Sequence, residues 1–237
     1  MDAYRDFRDI NPGVRSNPVW AALTSGNRDL AEGGTLALRY PSDIAPFAAV
    51  KEPTPAAFEE LSALITENGR AALVTVNPIM PPETLEIQMT APILQMEATR
   101  RLPHPTATVE IVTLGANDVS EMMQLTELTK PGPFGPRTYT LGRYIGIRID
   151  GQLAAMAGER MRFDDRVEVS AVCVHPDFRR RGYAELLITT LMDDLERNNK
   201  VPVLHVFASN AGAISLYERL GFRIAQELHV TSLGRRL

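Results

Sequence analysis

Apolar residues recur along the chain with two periods, and the switches between them mark the elements. Helical spacing appears over Pro55–Asn68, with Phe58, Leu61, Leu64 and Ile65 on one side and Gly69 as the stop. It returns over Asp118–Thr129 (Met122, Leu125, Leu128), over Gly182–Asn198 (Ala184, Leu187, Ile188, Leu191, Leu195) and over Ala213–Leu220. Strand-like runs occupy Thr35–Tyr40, Ala71–Val76, Leu85–Gln95 (interrupted by Pro92) and Thr108–Leu114. Tyr144–Ile149 and Gln152–Glu159 flank Asp150-Gly151, a two-residue hairpin signal. Val167–Val174, Val203–Ala208 and Phe222–Val230 complete the set.

The order joins an antiparallel meander to helix crossovers. It predicts an α/β protein with a mixed sheet. Arg101-Leu102-Pro103-His104-Pro105 is the best linker, because its two prolines disfavour both helix and central strand. The expected division is an α/β region over residues 1–105 and a second domain over 106–237. Residues 1–30 are polar, with turns at Asn11-Pro12-Gly13 and Ser25-Gly26-Asn27 and one apolar cluster at Val19–Leu23.

Composition narrows the class. The chain has 237 residues, of which 44% are hydrophobic, so a sizeable core is expected. A formal net charge of -4 argues weakly against a nucleic-acid partner. Cys173 is the lone cysteine, the N-terminus lacks a signal-like apolar stretch, and no apolar run reaches membrane-helix length; the expectation is a cytoplasmic protein with no membrane association. Histidines 104, 175, 205 and 229 lack metal-ligand spacing, so no metal is expected.

The most informative junction lies between Val174 and the helix near Gly182. A strand ends, a short turn follows, and a helix begins with unpaired amides. Those amides and the helix dipole suit an anion. Gly182 lets a ligand approach the backbone, Ala184 is small, and Arg179, Arg180 and Arg181 add positive charge. Taken alone, the same features describe a solvated basic turn.

Two blocks read together decide between these. Val172-Cys173-Val174-His175-Pro176-Asp177-Phe178-Arg179-Arg180-Arg181-Gly182-Tyr183-Ala184 resembles the acyl-CoA signature of the GNAT superfamily of N-acetyltransferases (Arg or Gln, two residues, Gly, one residue, Gly or Ala). Asn210-Ala211-Gly212-Ala213-Ile214-Ser215-Leu216-Tyr217-Glu218-Arg219-Leu220-Gly221-Phe222 resembles the family's Asn-x-x-Ala-x-x-Leu-Tyr-x-x-x-Gly-Phe element. The central region is similar to the glycine N-acyltransferase-like branch. The resemblance covers roughly residues 108–230 and implies an N-acetyltransferase fold and activity, with acetyl-CoA as cosubstrate.

The resemblance implies roles. Backbone groups of Val172, Cys173 and Val174 would hold the pantetheine arm along a strand edge. Arg179, Arg180, Arg181, Gly182, Tyr183 and Ala184 would hold the pyrophosphate, and Asn210 and Ala213 would line the same cofactor site. Direct transfer needs a neutral amine, a stabilised oxyanion and a protonated leaving thiolate. Glu168 is the candidate general base, with Glu159 in reserve, and Tyr217 the candidate acid. Cys173 is disfavoured as a covalent nucleophile because no base adjoins it except His175. Lys130–Tyr139 occupies the place of the family's acceptor lid, where Phe134, Arg137 and Tyr139 are pocket candidates. Residues 1–100 hold no second signature; a degenerate tandem half, an acceptor-binding module and a dimerisation module fit equally. Expected partners are acyl-CoA, a small-molecule or peptide amine and a second copy of the chain. Transfer of a longer acyl group to an amino acid and a non-catalytic CoA-binding regulator are the alternatives.

Overall fold

The computed structural model describes residues 16–66, 69–100 and 109–236. The proposed linker at 101–105 and the turn at 11–13 lie outside the described residues.

The N-terminal part starts with a short helix, α1 (Pro18–Thr24), at the isolated apolar cluster. Asn17 caps it, accepting from the Trp20 amide. A small antiparallel sheet follows: β1 (Glu32–Gly33), β2 (Ala37–Arg39) and β3 (Ala48–Val50). Helix α2 (Pro55–Leu64) is capped by Thr54, has proline in its first turn and buries Ala57, Phe58 and Leu61. It ends at Leu64 with Ile65 as its C-cap, and the expected end at Asn68 lies outside the described residues.

The main sheet takes strands from both halves of the chain. Its members are β4 (Arg70–Thr75), β5 (Leu85–Ala98), β6 (Val112–Leu114), β7 (Tyr144–Ile149), β8 (Gln152–Phe163), β9 (Arg166–Val174), β10 (Val201–Phe207) and β11 (Phe222–Arg235). Their spatial order is β4-β11-β5-β10-β9-β8-β7-β6. All these neighbours pair antiparallel except β9 and β10, which run parallel. The mixed sheet and α/β class match the sequence expectation.

The expected boundary at 105/106 does not separate two sheets. Strand β5, from the N-terminal half, lies between β10 and β11, both from the C-terminal half. Its Met96 and Ala98 are buried in the same core as Leu187, Ile188 and Leu191 of helix α4 (Tyr183–Arg197). Pro92 argues locally for an interruption, yet β5 runs through it. Its carbonyl accepts from the Ala208 amide, just past the end of β10. In an antiparallel strand a residue's N and O point to the same neighbour, so the missing N–H falls where β10 has ended.

Each face of the sheet is covered. Helices α4 and α5 (Ala211–Arg219) pack on one side through Val167, Val169, Leu204 and Val206. The other side carries Ile93, Met161, Val203 and Leu228 and packs under α1, Leu38, Tyr40, Ile44 and Phe47. The N-terminal segment is stitched on by polar contacts: Asn27 Oδ1 accepts from the Arg162 amide at 2.7 Å and from the Tyr40 hydroxyl at 3.2 Å. Helix α3 (Val119–Thr129) closes the β6–β8 end, burying Met122 and Leu125. Asp150 (φ 50°) and Gly151 (φ 82°) both adopt left-handed backbone, as the predicted β7–β8 hairpin requires. Among the described residues, no helix is long and apolar enough to cross a membrane.

Candidate active site

The sheet opens where β9 and β10 part. Their register runs Val201↔Arg166, Pro202↔Val167 and Val203↔Glu168, and ends there. Beyond Glu168, β9 has no strand partner on that side among the described residues. The β8–β9 register slips between Met156↔Cys173 and Gly158↔Ser170. Ala171, inside the slip, takes φ 52°, an unusual value for a residue with a Cβ. A bulge of this kind twists a strand away from its neighbour and re-aims its backbone. Val172 and Val174 are half-buried beside this cleft, and Cys173 is buried on the opposite face. Burial pushes the Cys173 thiol up to about 12, so it stays protonated and is a poor nucleophile.

The arginine turn stands at the mouth of the cleft. Arg180 and Gly182 take left-handed backbone, φ 62° and 78°. Gly182 is the N-cap of α4 and offers no side chain to its amides. The first backbone bond of the helix runs from the Leu186 amide to the Gly182 carbonyl, which leaves the amides of Tyr183, Ala184 and Glu185 without intrahelical acceptors. A Cβ built on Gly182 would meet nothing within 4 Å, so open space faces those amides. Arg179, Arg180 and Arg181 are exposed, and Arg181 stacks over Phe178 at 5.2 Å. The turn thus combines donors, positive charge and room, as a pyrophosphate needs. Tyr183 turns its ring inward instead, into the core.

Across the cleft, Asn210 caps α5 through Oδ1, accepting from the Ala213 amide at 3.1 Å. Tyr217 sits one helical turn further along the helix, its ring 6.0 Å from Phe222 in an edge contact. Burial pushes its hydroxyl up to about 12, so it keeps its proton at neutral pH.

Glu168 departs from its expected role. It is wholly buried at the fork of the cleft. Arg160 on β8 donates to both oxygens, Nη2 to Oε1 at 2.6 Å and Nε to Oε2 at 2.8 Å. His205 Nδ1 lies 2.8 Å from Oε1, and the Met161 amide donates to Oε2 at 3.4 Å. Burial alone would raise this carboxyl; the Arg160 charge and hydrogen bonds, joined by His205, outweigh it and hold the group well below the usual carboxylate range. A carboxylate so engaged is too weak a base to take a proton from an amine itself. Glu159, the reserve, is also buried and accepts from Arg162 Nη2 at 2.6 Å.

Three partners in this cluster carry no signal in the sequence: Arg160, His205 and Gln95, whose Nε2 lies 3.0 Å from His205 Nε2. Each sits in a strand whose polar positions look solvent-facing by alternation, and the N-terminal segment covers that face. Arg160 packs over the Phe47 ring at 4.7 Å. Beneath the fork, Arg166 Nε donates to Glu97 Oε1 at 2.9 Å. Of the acceptor-lid candidates, Phe134 packs edge-on against Tyr144 at 5.7 Å, Tyr139 joins the same cluster, and Arg137 pairs with Asp43 at 3.2 Å. Among the described residues, no group of three or more metal-type ligands gathers.

The chain is similar to known proteins in sequence and in fold. The FR47-like protein family matches residues 144–230. The ribosomal protein bS18 alanine N-acetyltransferase of Salmonella typhimurium is 34% identical over 121 residues, 48% of this chain and 81% of that protein. Its counterpart from Escherichia coli is 30% identical over 134 residues, 53% of this chain and 90% of that protein. A crystal structure of a putative acetyltransferase from the GNAT family of Novosphingobium aromaticivorans superposes with a TM-score of 0.87 at 39% identity, covering 94% of this chain and 99% of that one. A GCN5-related N-acetyltransferase from Kribbella flavida shares the fold, with a TM-score of 0.65 at 18% identity over 96% of this chain and 97% of its own. The two GNAT structures include the N-terminal half; the two curated relatives match only about half the chain.

Proposed function

The chain belongs to the GNAT family of N-acetyltransferases, and on that premise we propose that it moves the acetyl group of acetyl-CoA onto the free α-amine of a peptide. The observation that carries the reading is the Arg179–Ala184 turn opening α4 beside the edge of β9 beyond Glu168. The amides of Tyr183 and Ala184, with the exposed arginines, hold the pyrophosphate. The backbone of Val172, Cys173 and Val174 holds the pantetheine as an added strand would. Asn210 and Ala213 flank its other side, and Tyr217 protonates the departing thiolate. A peptide α-amine is favoured because the bS18 enzymes of Salmonella and Escherichia act on an alanine. An α-amine also loses its proton more readily than a lysine, by roughly 2–3 pKa units. The finer readings, a cytoplasmic homodimer and the glycine N-acyltransferase-like branch, rest on sequence alone. A donor series from acetyl- to hexanoyl-CoA tests the branch.

The test is calorimetric binding of acetyl-CoA together with release of CoA in the presence of alanine-initiated peptides. Gly182→Val places a branched side chain in the open space before the helix, and at left-handed φ. Affinity for acetyl-CoA is expected to fall by about 100-fold, beyond the roughly 1–3 kcal/mol of local backbone strain, which appears separately in the melting curve. Undiminished affinity would remove the pyrophosphate from this turn. Tyr217→Phe keeps the packing against Phe222 and removes the proton donor. It is expected to lower kcat by about 10²-fold with acetyl-CoA affinity unchanged; equal losses in both would make the hydroxyl a binding group.

A further inference from the structure

Strand β5 outruns its neighbour β10. The two pair from Val203↔Glu97 to Phe207↔Ile93, and the Ala208 amide adds a bond to the Pro92 carbonyl. On its other side β5 stays paired with β11 as far as Leu85. Among the described residues, no strand therefore covers Leu85–Ala91 on the β10 side. Pro92 turns its backbone to that side, so Thr90, two residues earlier, turns its amide and carbonyl the same way. Glu86 to Thr90 are all exposed. Six large hydrophobics stand exposed among the described residues, and three of them gather here: Ile87 (48%), Met89 (42%) and Phe207 (45%). Met89, Ala91 and Ile93 share a face, and Phe207, opposite Ile93, shares it too, so an apolar strip follows one side of the edge. An open, apolar strand edge is a template for another strand and a liability unless a partner takes it.

Position indicates the partner. Counted from Val203↔Glu168, the last β9–β10 pair, Phe207 stands four residues along β10 and Val172 four residues along β9. The end of β10 is thus level with the β9 backbone assigned to the pantetheine, and the uncovered edge of β5 begins there and leads outward. Beyond Ala208 the chain turns off into α5, which packs on the face of the sheet opposite Ala91 and Ile93. The line that β10 vacates is therefore open on the side of the strip. We propose that the acceptor peptide lies along β5 as an added strand, bonded through the Thr90 amide and carbonyl, with its α-amine at the end of β10. The proposal rests on the acetyl-transfer reading and adds where the chain of the acceptor runs. With the α-amine innermost, the peptide follows the direction of β10, which is antiparallel to β5. The backbone ladder holds a peptide of any sequence, while alternate side chains meet the Met89–Phe207 strip and favour apolar residues there. Strand β5 thereby gives the N-terminal half a part in acceptor binding.

The test uses the full chain with acetyl-CoA and alanine-initiated heptapeptides, each carrying one backbone N-methyl group. A strand turns every second amide toward β5, so KM is expected to rise by about 10-fold at alternate positions and to stay near that of the unmethylated peptide between them. A flat or non-alternating series would overturn the proposal. Thr90→Pro removes the amide that faces the vacated line. The fold should tolerate it, since Pro92 already stands in the same orientation on this strand. The ratio of kcat/KM for the heptapeptide to that for alaninamide is expected to fall by about 10-fold, with acetyl-CoA still bound. An unchanged ratio would place the peptide elsewhere while leaving the acetyl-transfer reading intact. Failure to bind acetyl-CoA, or to release CoA with any of the peptides, would instead sink that reading and this one with it. Sedimentation of the parent as a dimer that Thr90→Pro dissociates would give the edge to a second copy of the chain and overturn the proposal.

Discussion

Residues 106–237 produced without the preceding residues are expected not to fold, although they hold both sequence blocks. The physical cause is β5. Without Leu85–Ala98, strands β10 and β11 lose the strand that lies between them, and each is left with an open edge in the middle of the sheet. Helix α4 loses Met96 and Ala98 from the core it packs on. Emptying a single buried methionine site costs about 2–5 kcal/mol, against a total stability of roughly 5–15 kcal/mol for a domain. Removal of the whole strand, together with the N-terminal layer over Met161, Val203 and Leu228, exceeds that margin. The expected result is an aggregating or disordered fragment by near-ultraviolet circular dichroism and proton–nitrogen correlation spectra. Residues 1–105 supplied by co-expression should restore a folded complex that binds acetyl-CoA. A dispersed spectrum and a cooperative melt from 106–237 alone would show that β5 is dispensable.

That same strand explains what could be read from the sequence. The alternation of elements from Val112 onward is local, so the hairpin at Asp150-Gly151 and the β9-turn-α4 unit were both legible. Signals of this kind rest on neighbours in the chain. The insertion of β5 is a long-range pairing that no local period encodes, and Pro92 actively argued against it. The fork cluster was hidden for a related reason. Glu168, Gln95 and His205 alternate with apolar residues as a solvent-facing strand row would, and the covering layer of Tyr40, Phe47 and α1 turns that face into a core. The arginine-rich turn before α4 was legible because its residues are consecutive; the ring of charge at the fork was not, because it gathers β5, β8, β9 and β10.

The ion pair inside that ring sets the second large expectation. Arg160→Met is expected to destabilise the protein by about 3–5 kcal/mol, because it strands the Glu168 carboxylate in a buried site with His205 as its remaining side-chain partner. On a chain of this length each kcal/mol moves Tm by roughly 2–4 °C, so a loss of about 10 °C is expected. The paired change Arg160→Met with Glu168→Gln removes both charges and should recover part of the loss, whereas Glu168→Gln alone leaves the Arg160 charge buried and should be as damaging as Arg160→Met. The pH dependence has a definite sign. The folded Glu168 carboxyl lies below its unfolded value of about 4.3, so the unfolded chain binds the extra proton between the two. Its contribution to stability is complete above pH ~4.3 and drains away as pH falls toward the folded value. Denaturant titrations between pH 7 and pH 3 should therefore show the parent losing stability faster than the doubly substituted protein. Parallel pH curves for the two would mean that the fork carboxylate is not held ionised by Arg160.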